Sequence, residues 1–187
     1  MSALATTYKF TFDEFYRLYE TGVIDSKDRI ELLNGELIIM HAIGYRHAQA
    51  VTNLNAYLSE QSRRRYMISP QNPVVLEEYS APQPDLVVVP WSRRKANRHP
   101  TPSEVFLIVE VADSSLQYDR EDKMRAYAAC GVTEFWILNL EDDVLEIHRQ
   151  PADGRYRELL TIPSDGTASP LAFPDVAIAL ADIIPPR

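Results

Sequence analysis

The spacing of apolar positions changes period several times along the chain, and each change predicts an element. Thr11 to Tyr19 reads as a short helix. Thr11 and Glu14 stand at capping-box spacing, and Gly22 is a natural stop. Two apolar runs, Ile30-Glu31-Leu32-Leu33 and Glu36-Leu37-Ile38-Ile39-Met40, flank Asn34-Gly35, which predicts a β-hairpin. From about Arg46 to Arg64, Ala50, Val51, Leu54, Tyr57 and Leu58 recur at helical spacing, so a long amphipathic helix should run into Arg63-Arg64-Arg65. Short strands are expected at Tyr66 to Ile68 and Val74 to Leu76, and buried strands at Asp85 to Val89 and Glu104 to Val111. A second amphipathic helix spans about Gln117 to Ala129 and closes at Gly131. Glu134 to Leu140 is a further buried strand. Val144 to Arg149 and Tyr156 to Ile162 pair around Ala152-Asp153-Gly154, and the tail to Ile184 should cover a sheet edge. Helices interleaved with a mixed sheet give an α/β (α+β) class with one central sheet.

Composition narrows the class. The chain has 187 residues, 45% hydrophobic and 25% charged, which suits one soluble domain over residues 1–187. No apolar run approaches the roughly 20 residues of a membrane helix. Met1 to Tyr8 lacks the basic start and apolar stretch of a secretory signal. A single cysteine, Cys130, excludes an intrachain disulfide framework and a multi-cysteine zinc site, and it reads as a packed small residue. A reducing cytoplasm is the expected compartment. The net charge of -8 argues against a polyanionic partner, but it is uneven. Glu60 to His99 holds seven basic and four acidic residues, a net of +3, whereas Thr101 to Gly154 holds four basic and twelve acidic, a net of -8.

Four positions carry candidate chemistry. Asp85 opens an apolar strand directly after Pro84. It is either a strand start at a solvated edge or a functional carboxylate. In Phe106 to Val111 the period of two sets Glu110 on the face of Phe106 and Ile108, where a carboxylate costs several kcal/mol to bury unless paired or bound to a cation. Asp119, Lys123 and Tyr127 share one helix face, either as a surface ion pair or with Lys123 leaning toward Glu110. His47 lies in the first turn of the long helix, where a metal, carboxylate or phosphate would suit it. His41, His99 and His148 show no zinc-ligand spacing. Glu31 and Glu36 flank the hairpin turn, and Glu31 reads as a solvated hairpin carboxylate.

Pro84-Asp85 followed about 25 residues later by Glu110-Val111 resembles the Pro-Asp…(Asp/Glu)-x-Lys signature of the PD-(D/E)xK nuclease superfamily. A longer ordered series runs through Glu31-Leu32-Leu33-Asn34-Gly35-Glu36, His47, Pro84-Asp85-Leu86, Val109 to Ser115, Tyr118-Asp119-Arg120, Lys123, Tyr127-Ala128 and Gly131 to Ile137. It resembles the Uma-type restriction endonuclease family, a branch of that superfamily catalogued as a domain of unknown function. The resemblance implies a restriction-endonuclease-like fold and Mg²⁺-dependent DNA cleavage, with Mn²⁺ as a substitute. It departs from the superfamily motif at Ala112, where a lysine is usual, and Lys123 on the next helix would take that part. The implied catalytic set is Asp85, Glu110 and Lys123, with His47 or Glu36 in the first-motif role. Asp85, Glu110 and the Val111 carbonyl would hold the metal. Arg63, Arg64, Arg65, Arg93, Arg94, Lys95 and Arg98 would contact DNA phosphates. Apolar positions from Val176 to Ile184 suggest a homodimer surface. Alternatives are a nuclease-fold module that binds DNA or a partner without cutting, and a metal hydrolase of small phosphorylated molecules.

Overall fold

The protein was analysed as a computed structural model that describes residues 6–25, 27–40 and 42–187. His41 and the start of the Met1 to Tyr8 segment lie outside those residues. Local chemistry accounts for the first elements. Helix α1 (Phe12–Glu20) carries the full capping box: Glu14 N–H donates to Thr11 Oγ1, and Thr11 N–H donates to the Glu14 carboxylate at 2.9 Å. Strands β1 (Ile30–Leu33) and β2 (Glu36–Ile39) form the hairpin, with Asn34 and Gly35 at φ 52° and 76°. Helix α2 (Tyr45–Gln61) buries Ala50, Leu54 and Leu58, four residues apart, on one face.

The central sheet has six strands in the order β3-β4-β5-β6-β7-β8: Tyr66–Pro70, Leu86–Pro90, Leu107–Ala112, Glu134–Asn139, Val144–Ala152 and Arg155–Pro163. Only β5 and β6 run parallel, because a helix connects them; every other neighbouring pair is antiparallel. That helix is continuous but not uniform. It runs as α3 (Leu116–Tyr118), a π segment (Asp119–Lys123) and α4 (Met124–Ala129), with Met124 N–H donating to the Asp119 carbonyl five residues back.

The two sheet faces bury different side chains. Leu86, Val88, Leu107, Val109 and Val111 pack with α2. Val87, Val89, Ile108 and Ala112 pack with Tyr127 of α4. Two sequence expectations fail here. Val74 to Leu76 makes no strand: its N–H groups donate instead to the carbonyls of Pro82, Pro100 and Ser80, in a stretch where Pro73, Pro82 and Pro84 supply no ladder donors. Phe106 precedes β5 and turns to the α2 face, so it does not share a face with Glu110.

The tail covers a face rather than an edge. Ala168 of β9 (Thr167–Ala168), Ile178 of β10 (Ile178–Ala179), and Leu180 and Ile183 of α5 (Leu180–Ile183) belong to the α2-side core with Val176. Buried Glu134 accepts from the Leu171 N–H, Trp136 Nε1 and Arg149, which ties the tail to β6. Those apolar positions are therefore inside the protomer and offer no homodimer surface, contrary to the sequence expectation. Among the described residues no helix is long and apolar enough to cross a membrane.

The hairpin docks through backbone bonds from Ala81 N–H to Leu32 O and from Gly35 N–H to Tyr79 O. A Cβ at Gly35 would meet Lys9 Cβ at 2.7 Å, in a left-handed backbone conformation. Gly35→Ala should cost about 1–3 kcal/mol in urea unfolding. A change under about 0.5 kcal/mol would show that the turn does not need glycine.

Candidate active site

The end of the sheet where β4 begins and β5 finishes opens on a cavity of about 470 Å³. The register pairs Leu86 with Val109, so Asp85, one residue before β4, stands opposite Glu110. His47 projects from the first turn of α2 and Lys123 from the π segment, and all four side chains line the cavity. Asp85 Oδ2 accepts from the Val111 N–H at 2.9 Å and lies 3.0 Å from His47 Nε2. Glu110 Oε1 accepts from Lys123 Nζ at 3.1 Å and from the Tyr127 hydroxyl at 2.7 Å.

Lys123 is the hub. Its Nζ lies 3.4 Å from Glu31 Oε2 and 3.9 Å from Asp119 Oδ1, in addition to Glu110. Glu31, fully buried, also accepts from the Gln83 N–H and the Tyr118 hydroxyl. Asp119 accepts from Ser115 Oγ at 2.6 Å. Carboxylates from the hairpin, β5 and the helix thus gather on one ammonium. Asp119, Lys123 and Tyr127 form part of a buried cluster, not a surface ion pair.

Burial and charge set the protonation of these groups. Burial pushes the Glu110 pKa up, Lys123 opposes this, and Asp119, Asp85 and Glu31 push it further, so it stands well above the usual carboxylate range. Asp119 is raised for the same reason. Desolvation pulls Lys123 down, but Glu110, Glu31, Asp119 and Asp85 outweigh it and hold the ammonium charged well above its ordinary range. Asp85 goes the other way: burial would raise it, yet His47, the Val111 N–H and Lys123 together keep it low.

The π segment is held from outside by Arg120, whose Nε donates to Glu146 Oε2 at 3.1 Å while Nη2 donates to Oε1. Glu146 lies on β7, 5% exposed. Burial raises its pKa, but His148, Arg120 and Asn139 outweigh that and bring it to about 2.

The remaining expected residues lie elsewhere. Glu36 is exposed and paired with Lys9 at 2.6 Å, because it sits at the turn end of the hairpin opposite Leu33. Glu31 sits at the open end, opposite Ile38, which lines the cavity. The sequence reading therefore had the two hairpin glutamates reversed. The signal that separates them is distance from the Asn-Gly turn. Val111 is buried within the β5–β6 ladder and does not line the cavity, so its contribution is its N–H to Asp85. Arg63, Arg64, Arg65, Arg93, Arg94, Lys95 and Arg98 do not line this cavity either. Arg65 pairs with Asp175, and Arg93 and Arg98 both pair with Glu104.

Among the described residues no group of three His, Cys, Asp or Glu side chains is arranged to hold a metal ion. The donor set suits a cation that asks for fewer. Asp85 and Glu110 stand opposite each other, and Asp85 Oδ1 and Glu110 Oε2 make no hydrogen bond among the described residues. Mg²⁺ typically takes one or two protein carboxylates and keeps its waters.

Two stability measurements probe this electrostatic frame. Lys123→Met should cost about 3–5 kcal/mol near pH 7, because it leaves buried carboxylates without their cation. The penalty should shrink toward pH 5 as those groups take up protons, and a loss under about 1 kcal/mol at pH 7 would count against the hub. Glu146 has a lowered folded pKa, so its contribution is present above about pH 4.5 and is lost as pH falls toward about 2. Glu146→Gln should cost roughly 2–3 kcal/mol at neutral pH, with the gap to wild type closing below pH 4. A gap that stays constant with pH would refute the assignment.

A crystal structure of "a putative nuclease belonging to DUF820" from Anabaena variabilis superposes on this chain with a TM-score of 0.72, covering 94% of this chain and 97% of the other at 14% identity. At that identity the likeness concerns the fold. No curated protein sequence matches. The family model described as "Putative restriction endonuclease" matches residues 12–181, from α1 into α5 and across every residue of the cavity cluster. The chain belongs to this family, Uma2.

Proposed function

We propose that the protein is a Mg²⁺-dependent nuclease that hydrolyses phosphodiester bonds in DNA. The observation that carries this reading is the pairing, inside one cavity, of Asp85 and Glu110 with a buried, charged Lys123. Family membership supports the same class of activity. Asp85 and Glu110 would hold the ion, which when bound supplies an activated water and neutralises phosphate charge.

The chain's own groups do the rest. Lys123 stays protonated, so it acts as a donor and not as a base: its N–H groups face negative charge that builds on the phosphate oxygens. Glu31 and Asp119 hold the ammonium in place from either side. Tyr127 fixes the Glu110 rotamer, leaving Oε2 toward the cavity. His47 does the same for Asp85, leaving Oδ1. The Ala112 position that departs from the superfamily motif is filled from the helix, since the π turn brings Lys123 to Glu110.

Nicking of supercoiled plasmid in Mg²⁺ or Mn²⁺ tests the proposal. Asp85→Asn, Glu110→Gln and Lys123→Met should each lower the rate by roughly 10²-fold or more, with EDTA abolishing it. A wild type that binds DNA but never cuts under any of these metals would leave a binding module instead. Equal cutting by the triple variant would show that the cluster is not the catalytic site.

A further inference from the structure

We propose that the two basic segments, far apart in sequence, form one nucleic-acid backbone-binding surface at the end of the sheet opposite the cavity, a second site that holds long substrates. This rests on the nuclease reading above. Strands β3 and β4 bring the segments together: Tyr66 pairs with Pro90, and Trp91 N–H donates to Arg65 O at 3.4 Å. Asp85 precedes β4 at one end and Trp91 follows it at the other, a span of about 20 Å at strand rise. The surface is therefore remote from the carboxylates and is not their rim.

Salt bridges select its active members. Arg65, Arg93 and Arg98 are neutralised by Asp175 and Glu104. Arg63, Arg64, Arg94 and Lys95 are exposed and make no ion pair within 4 Å among the described residues. Arg63 and Arg64 occupy the two central positions of a turn closed by Arg65 N–H to Ser62 O, at φ 47° and 62°. Both conformations belong to the left-handed region that Asn-Gly fills at low energy, yet two arginines stand there with their side chains directed to solvent. The Arg94 guanidinium lies 5.6 Å from the Trp91 ring centroid, which orders it while leaving it exposed.

Charge and composition indicate the occupant. The cavity places Glu31, Asp85, Glu110 and Asp119 around one lysine and repels an incoming polyanion, so attraction has to be generated elsewhere. A membrane surface would need exposed apolar side chains among the cations. The exposed large hydrophobics, such as Ile39, Tyr45 and Leu159, all lie outside both segments. Regularly spaced phosphates fit four unpaired cations on one surface.

The test is anisotropy of a labelled 30-base-pair duplex in EDTA over a salt series, beside cleavage of a short oligonucleotide in Mg²⁺. Changing Arg63, Arg64, Arg94 and Lys95 together to serine should weaken duplex binding more than tenfold and reduce the salt slope by about three. Cleavage of an oligonucleotide too short to span the roughly 20 Å should be unchanged. Arg63→Gly with Arg64→Gly relieves the left-handed strain, so this variant should keep or raise its Tm while binding more weakly. If these arginines were merely structural, its Tm would fall. Wild-type affinity and salt slope in the serine variant would overturn the surface even where nuclease activity stands, as would a wild type that binds no duplex or one that prefers anionic vesicles. Salt-dependent duplex binding lost in the variant, with no cutting by wild type, would support the surface and sink only the nuclease reading.

Discussion

One buried ammonium sets the terms for this end of the molecule. Lys123 is 1% exposed and faces carboxylates from three separate stretches of chain: Glu31 on the hairpin, Glu110 on β5 and Asp119 one turn away. Removing a lysine from water is costly, and so is removing each carboxylate. The groups are tolerable together because each lowers the cost of the others and because Tyr118, Tyr127, Ser115 and the Gln83 N–H satisfy the remaining lone pairs. The hairpin, the sheet and the helix can therefore dock in only one arrangement. The same balance leaves more negative charge than Lys123 can offset, which is the condition under which a carboxylate pair such as Asp85 and Glu110 favours a divalent cation.

That excess has consequences for the whole surface. A site built from carboxylates can bind a cation but repels the polyanion on which a nuclease acts. The chain separates the two demands along its sheet, with acid residues where β4 begins and unpaired arginines where it ends. The net charge of -8 thus averages two regions of opposite sign and says little about either. Coulomb interactions over such a distance are screened at physiological salt, so the two ends can differ without cancelling.

The helix between β5 and β6 shows how a local irregularity serves packing. A regular α-helix would carry Asp119 and Lys123 on one face, but the π turn inserts extra backbone where both must be buried against the sheet. Arg120, in the same segment, points the other way and is clamped on β7 by Glu146. Adjacent residues of one turn thus reach opposite sides: the cavity on one and a strand two places along the sheet on the other.

Much of the fold was readable in sequence because it rests on short-range chemistry. The Thr11–Glu14 cap, the Asn34-Gly35 turn, the Ala50–Leu54–Leu58 spacing and the β5 apolar run each act within a few residues. Asp85 and Glu110 were visible because a carboxylate in an apolar strand is anomalous wherever it occurs. Glu31 was not, because β1 alternates like a solvated hairpin, and its burial comes from a lysine 92 positions away. Glu36 looked equivalent until the hairpin's orientation directed its turn to solvent. The tail looked like an open apolar surface until the α2-side core closed over it. The two arginine runs looked like a rim to the active site until the antiparallel pairing of β3 and β4 carried them to the opposite end. Sequence by itself determined the elements, their turns and the residues capable of the chemistry, since those follow from local backbone preference and side-chain type. Only the tertiary structure decided which carboxylates share Lys123 and which cations stay unpaired, because burial and Coulomb interactions depend on distance in space and not on separation along the chain.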